Sequence, residues 1–257
     1  MNHLSVFVKK YMLYTTVALL SAATVGCSAG SEESQSEKTD EQDTLQIGMS
    51  FDTFVLERWI RDRDIFVSTA SDLGAEVNVQ NANGDADEQA AQIEYLIDKG
   101  MDVLVIVAVD GTSSKLESAI HRAHSKGIKI LAYDRIIQNA DVDLYASFDN
   151  EEVGILMAES ALSQIPENGK VAVLYGSPAD YNVVLVEQGI KKTLSGKGVQ
   201  LVYENYSDNW KAEYAYEQMN ECIDTVGKVD AVICGNDGLV AMAFKSLSEH
   251  RMADDVC

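Results

Sequence analysis

A chain of 257 residues, 46% hydrophobic and 24% charged, can bury a sizeable core as one large domain or two smaller ones, which excludes global disorder. Its formal charge of −21, from 41 acidic against 20 basic residues, repels phosphate backbones and anionic membrane surfaces and argues against a nucleic-acid partner.

Lys9 and Lys10 precede an apolar run from Met12 to Val25 that ends in small residues and Cys27. The pattern reads as a secretory signal over residues 1–27 rather than a structural helix, and the run is short for a membrane span. Ala23-Thr24-Val25-Gly26-Cys27 resembles a bacterial lipobox, with Thr24 where that motif usually has Leu. It implies cleavage before Cys27 and a diacylglycerol on the Cys27 thiol; an ordinary cleaved signal is the alternative. Residues 28–44 carry Glu32, Glu33, Glu37, Asp40, Glu41 and Asp43 against one lysine, with no aromatic or β-branched apolar residue. They read as a disordered acidic tether.

From Leu45 onward, short β-rich runs alternate with amphipathic helical stretches. Leu56, Trp59, Phe66, Val67, Ala70 and Leu73 recur at helical spacing, and Gly74 stops that helix. Gly74, Gly100 and Gly127, then Gly169, Gly198 and Gly227, fall at near-equal intervals where left-handed helix caps are wanted. The runs after them predict strands at 75–80, 103–109, 128–133, 171–175, 199–203 and 229–234, several apolar throughout, as parallel strands covered on both faces are. Two regular groups of βα units, separated by an irregular stretch from Ile136 to Gly154, predict two doubly wound α/β lobes over residues 45–150 and 151–257.

In open parallel sheets ligands sit outside the carboxyl ends of the strands. Those positions hold Asp52 and Phe54, Asn81 to Gly84, Asp110, Asp134-Arg135, Ser177 to Asn182, Asp208 to Trp210, and Asn236-Asp237. Side chains that serve two hydroxyls at once, interspersed with aromatic rings, suit a sugar, whose hydroxyls donate and accept and whose C–H faces lie on rings. No Gly-rich phosphate cradle follows the first strand, no serine sits in a nucleophile elbow and no histidine lies at a strand end, so neither a nucleotide cofactor nor catalysis is expected. Asp134 with Asp237 could in principle form a glycosidase pair. Other readings stay open: an Asp134–Arg135 loop ion pair, Trp59 as pure core, and Asn236-Asp237-Gly238 as a turn or helix cap. Cys222, Cys234 and Cys257 form no C-x-x-C pair, and His121 and His124 share a helix face without a third ligand, so no metal is expected.

The segments Ile47 to Trp59, Arg61 to Phe66, Leu131-Ala-Tyr-Asp-Arg135, Ser147-Phe-Asp-Asn150, Gly176-Ser-Pro178 and Asn236-Asp237 together resemble the D-xylose-binding members of the type I periplasmic sugar-binding family, from about Leu45 to about Ser248. The resemblance implies a hinged two-lobed clamp that binds a monosaccharide, xylose or a relative such as glucose or ribose. It also implies a location in the cell envelope outside the cytoplasm, held by the Cys27 lipid, and delivery to an ABC permease. A chemoreceptor or a membrane histidine kinase is the alternative partner. Carried over by motif, Arg58, Trp59, Asp134, Arg135, Asn182 and Asn236 would contact the sugar and Trp210 would wall the site. Replacing Asp134 or Arg135 by alanine is then expected to abolish binding while leaving the thermal transition nearly unchanged. The chain departs from the family at Glu187, where xylose binders tend to carry a basic residue, and it stops at Cys257 before a further strand and ligand aspartate. That ending suggests a truncated gene, an unpaired edge on the second sheet and an aggregation-prone product.

Overall fold

The computed structural model describes residues 44–257. The signal, Cys27 and all of the tether up to residue 43 lie outside the described residues. In the first lobe β1 (Gln46–Phe51), β2 (Glu76–Asn81), β3 (Val103–Ile106), β4 (Lys129–Tyr133) and β5 (Leu144–Ala146) form a parallel sheet in the order β2-β1-β3-β4-β5. Helices α1 (Glu57–Asp72), α2 (Ala86–Asp98) and α3 (Ser114–Ser125) connect its first four strands. The apolar stripe of α2 and α3, including Ile93, Leu96, Leu116 and Ile120, buries against Leu104, Ile106 and Ile130. Trp59 and Ala70 of α1 bury with Ile47, Met49, Phe51 and Val105 in a separate cluster. Each such large side chain contributes about 1.5–3 kcal/mol. The second lobe runs α4 (Asn150–Leu162), β6 (Lys170–Tyr175), α5 (Tyr181–Leu194), β7 (Gln200–Tyr206), α6 (Glu213–Val226), β8 (Ala231–Cys234) and α7 (Asp237–Glu249), with the parallel order β7-β6-β8. This is the doubly wound α/β architecture the spacing predicts.

The differences have physical reasons. The stretch read as irregular contains β5 and the start of α4, whose N-cap Asp149 accepts from the amide of Glu152. In the run 103–109 the strand ends at Ile106; the Val107 amide still donates to Ser50 O of β1 (2.9 Å), and beyond it the buried Gln89 side chain takes the place of a strand, donating to the Val107 carbonyl (2.9 Å) and accepting from the Val109 amide (2.8 Å). Gly74, Gly100, Gly127, Gly198 and Gly227 have positive φ as expected; Gly169 does not, and the left-handed residue there is Asn168 at φ 64°. At the outer side of β8 the backbone of Cys257 makes a parallel bridge, its amide donating to Asp230 O (3.1 Å) and its carbonyl accepting from Val232 N (2.8 Å).

Strands β4 and β5 are parallel neighbours joined without a helix. The connection arches back along the α2–α3 side of the sheet, where Ile137, Ala140 and Val142 pack, and is tied down by Asp143, whose amide donates to the Ile130 carbonyl (2.9 Å) and whose carboxylate accepts from the Ile130 amide (2.9 Å). Gly111 admits the arch, since a Cβ there would collide with the Ile136 carbonyl. The arch begins with Asp134 and Arg135.

Helices α4 and α5 cross backbone against backbone. A Cβ on Gly154 would collide with the carbonyl oxygen of Val186, and one on Gly189 with that of Glu151. Gly189→Ala should therefore lose about 1 kcal/mol, the overpacking cost of about 1–3 kcal/mol outweighing the helix gain of about 1. Adding Gly154→Ala should cost less than the sum, because the first Cβ already separates the helices. Additive losses by denaturant unfolding would show that the two contacts are independent.

Candidate functional site

The carboxyl ends of both sheets face one cleft of about 720 Å³, and Arg58, Trp59, Asp134, Arg135, Asn182, Trp210 and Asn236 all line it. Asp134 is the most constrained of them. Its φ is 63°, and the Arg135 amide donates to the Tyr133 carbonyl (2.7 Å), closing a tight three-residue turn of the strained, φ-positive kind. Its amide donates to Ala146 O (2.7 Å), and its carbonyl accepts from Ser147 Oγ (2.6 Å), Tyr145 Oη (3.2 Å) and Asn182 Nδ2 (3.1 Å). The carboxylate takes Arg58 Nη2 of α1 (2.7 Å) on one oxygen and Asn182 Nδ2 of α5 (3.1 Å) on the other. Groups from both lobes thus hold it.

Arg135 is not paired with Asp134. Its guanidinium is 5% exposed and lies between two carboxylates that are equally buried: Asp52 at the end of β1 (Nη1 to Oδ2, 2.5 Å) and Asp180 at the start of α5 (Nε to Oδ2, 2.9 Å). Nη1 also donates to the Ala108 carbonyl (3.0 Å), in the segment that Gln89 holds off the sheet. The expectation that alanine at 135 leaves the thermal transition unchanged is therefore corrected: the residue neutralises two interior charges.

The aromatic walls are built differently. Trp59 is 1% exposed, packed on Phe51 (6.1 Å) and edge-on to Tyr133 (6.3 Å), with the Arg58 guanidinium 4.1 Å over its ring. It is core and cleft wall at once. Trp210, in the 3-10 turn after β7, lies across the backbones of Gly176 and Gly235, where a Cβ would meet its ring, and donates from Nε1 to Asp180 Oδ2 (3.2 Å). Asn236 is the N-cap of α7, accepting the Leu239 amide (2.8 Å), so the cap reading holds and the residue still lines the cleft. Asp237 lines it too.

Residues 47–257 match the family described as periplasmic binding protein domain. The chain belongs to that family. It is 45% identical over 219 residues to the D-xylose-binding periplasmic protein of Haemophilus influenzae, covering 82% of this chain and 64% of that protein. Identity to the D-xylose-binding periplasmic protein of Escherichia coli is 41% over 218 residues, covering 82% and 65%. The chain thus spans just under two thirds of these relatives' lengths. Among solved structures, an ABC transporter solute binding protein from Clostridium phytofermentans with bound β-D-glucose superposes with TM-score 0.72 at 29% identity, covering 79% of this chain and 68% of that one.

In this periplasmic binding protein, reading strand ends found the cleft and took in Asp180 within Ser177 to Asn182 without giving it a role: it caps α5 through the Asn182 amide (3.0 Å) while facing Arg135. The Gly176–Gly235 shelf gave no signal beyond the glycines themselves. Glu187 is not among the cleft residues; it bonds Lys191 Nζ (2.6 Å) and accepts from Tyr206 Oη (2.7 Å).

Burial pushes the Asp52 carboxyl up to about 6, against the pull of Arg135, and raises Asp180 for the same reason. A carboxylate whose folded pKa is raised binds more protons when folded, so its charging penalty disappears as pH falls through about 6 toward 3.8. Between pH 7 and pH 5 this protein should therefore gain about 1 kcal/mol relative to Asp52→Asn in urea unfolding. Parallel stability curves for the two would remove Asp52 as the titrating group.

Proposed function

We propose that this chain is the sugar-binding component of an extracytoplasmic uptake system, a binder rather than an enzyme, that closes its two lobes on a monosaccharide of the xylose class and hands it to an ABC permease. The observation that carries the reading is the cleft itself. It offers an Asp134 carboxylate fixed from both lobes, the amides of Asn182 and Asn236, the Arg58 guanidinium, and indoles on two sides. Buried Trp59 Nε1 and Asn182 Oδ1 have no partner among the described residues, which leaves a donor and an acceptor for hydroxyls. The relatives named for D-xylose support the choice of sugar.

Calorimetric titration with D-xylose, D-glucose, D-ribose, L-arabinose and D-galactose tests the reading. D-Xylose should bind tightest, and heat from none of the five would sink it.

We further propose that residues 1–27 export the chain, that Cys27 carries the lipid and that residues 28–44 tether the lobes to the membrane. Metabolic labelling with a palmitate analogue should mark the protein and miss Cys27→Ser; a labelled variant, or a wholly soluble parent, refutes anchoring.

A further inference from the structure

Two consecutive residues other than glycine, Asn209 (φ 52°) and Trp210 (φ 58°), take left-handed backbone in the turn that carries the indole wall. Asparagine tolerates that region; tryptophan, with its bulky side chain, rarely visits it, and the strain persists only where the surroundings impose it. Part of the restraint comes from the turn's own lobe. The Ser207 amide donates to the carbonyls of Tyr175 and Gly176 (both 3.1 Å), and the indole rests on Gly176 and Gly235.

The rest comes from across the cleft. Asn209 packs on Gly84 of the first lobe, where a Cβ would lie 3.0 Å from Asn209 Oδ1. Gly84 is itself left-handed (φ 80°) and its amide donates to the carbonyl of Asp52 (2.7 Å). Trp210 is tied to the same lobe indirectly, because the Asp180 oxygen that accepts its Nε1–H is the one that meets Arg135. Both cross-cleft restraints on the turn therefore end on the Asp52–Arg135 corner of the first lobe.

We propose that Asn209-Trp210 is a latch: the first lobe holds the turn in its strained form, so the indole wall stands in place only while the lobes are together. Asn209 is a positioning residue for Trp210, acting through Gly84. Lobe separation removes Gly84 and Arg135 from the turn, which then relaxes and withdraws the indole. A ligand must offer the indole an apolar face to restore it, which couples recognition of a sugar's C–H face to closure. This last step rests on the sugar-binding reading above; the latch itself does not.

The test is acrylamide quenching of tryptophan fluorescence in the full chain without sugar. Trp59 is 1% exposed but also walls the cleft, so each measurement is paired with a Trp59→Phe control in which Trp210 is the reporter. Asn209→Gly accepts the left-handed backbone and deletes the cross-cleft contact; Gly84→Ala disturbs that contact from the opposite lobe. Each should raise the quenching constant at least twofold, Asn209→Gly with the thermal midpoint held and Gly84→Ala with a lowered one because its backbone is left-handed, and the radius of gyration from small-angle scattering should increase. Unchanged quenching in Asn209→Gly overturns the latch, whatever Gly84→Ala does to folding. A titration with D-xylose forms a separate arm: quenching should fall on saturation of the parent and affinity should drop about tenfold in Asn209→Gly. A parent that ignores D-xylose counts against the sugar reading, while the sugar-free arm still decides the latch.

Discussion

Arg135→Ala should unfold with a midpoint roughly 10 °C below that of the parent. Removing one member of a buried ionic cluster costs about 3–5 kcal/mol, because the charges left behind lose their partner, and a chain of this size loses about 2–4 °C per kcal/mol. Here two carboxylates, Asp52 and Asp180, would be stranded with side chains that are 5% and 4% exposed. Arg135→Lys should recover only part of the loss, since a single ammonium nitrogen cannot stand at both the Nε position that meets Asp180 and the Nη1 position that meets Asp52 and the Ala108 carbonyl. Adding Asp52→Asn and Asp180→Asn to Arg135→Ala should restore stability toward the parent. A thermal melt of Arg135→Ala within about 2 °C of the parent would mean that water reaches this cluster and screens it.

Asp134→Ala should instead spare the fold more than the binding. Its carboxylate partner Arg58 is 46% exposed at the side chain and can turn to solvent, whereas the backbone bonds that shape the turn survive the substitution. A hydrogen-bonded charge lost from a desolvated site costs about 2–5 kcal/mol of affinity, or about 30-fold to several thousand-fold in Kd. Under the proposed function, calorimetry with D-xylose should therefore show no measurable heat at concentrations that saturate the parent. Affinity within tenfold of the parent, a loss near 1.4 kcal/mol, removes Asp134 from the sugar's partners.

The architecture was legible because parallel strands covered on both faces read as apolar runs and because left-handed glycines end the intervening helices. β5 was not: Leu144-Tyr145-Ala146 is short and lies at an exposed edge, so no buried face imposes a pattern. Val107 to Val109 misled in the other direction, being buried and apolar yet held, beyond the Val107 amide's bond to β1, by a glutamine side chain. The cleft was legible wherever residues at the carboxyl ends of strands could be taken in order. What each does was less so, since Arg135 is adjacent to Asp134 in sequence but is neutralised by Asp52 and Asp180, which approach from different strands and lobes. Adjacent charges suggest a pair; only the tertiary arrangement shows that the two face different partners.

The all-parallel pairing also sets how the chain finds its fold. Neighbouring strands cannot meet through a hairpin: β1 pairs Gln46 with Glu76, β6 pairs Lys170 with Gln200, and β1 then pairs Ile47 with Val103. Enlarging the closed segment from the first kind to the last adds only about 0.6 kcal/mol of chain entropy, so the inner pairings are not strongly penalised for distance. Each does require a helix to be in place before the strand behind it can dock. The two lobes, whose sheets share no strand, should accordingly acquire structure as separate kinetic units. The cluster around Arg135, which needs Asp52 from one and Asp180 from the other, would form last. Substitutions there should speed unfolding while leaving the refolding rate almost untouched.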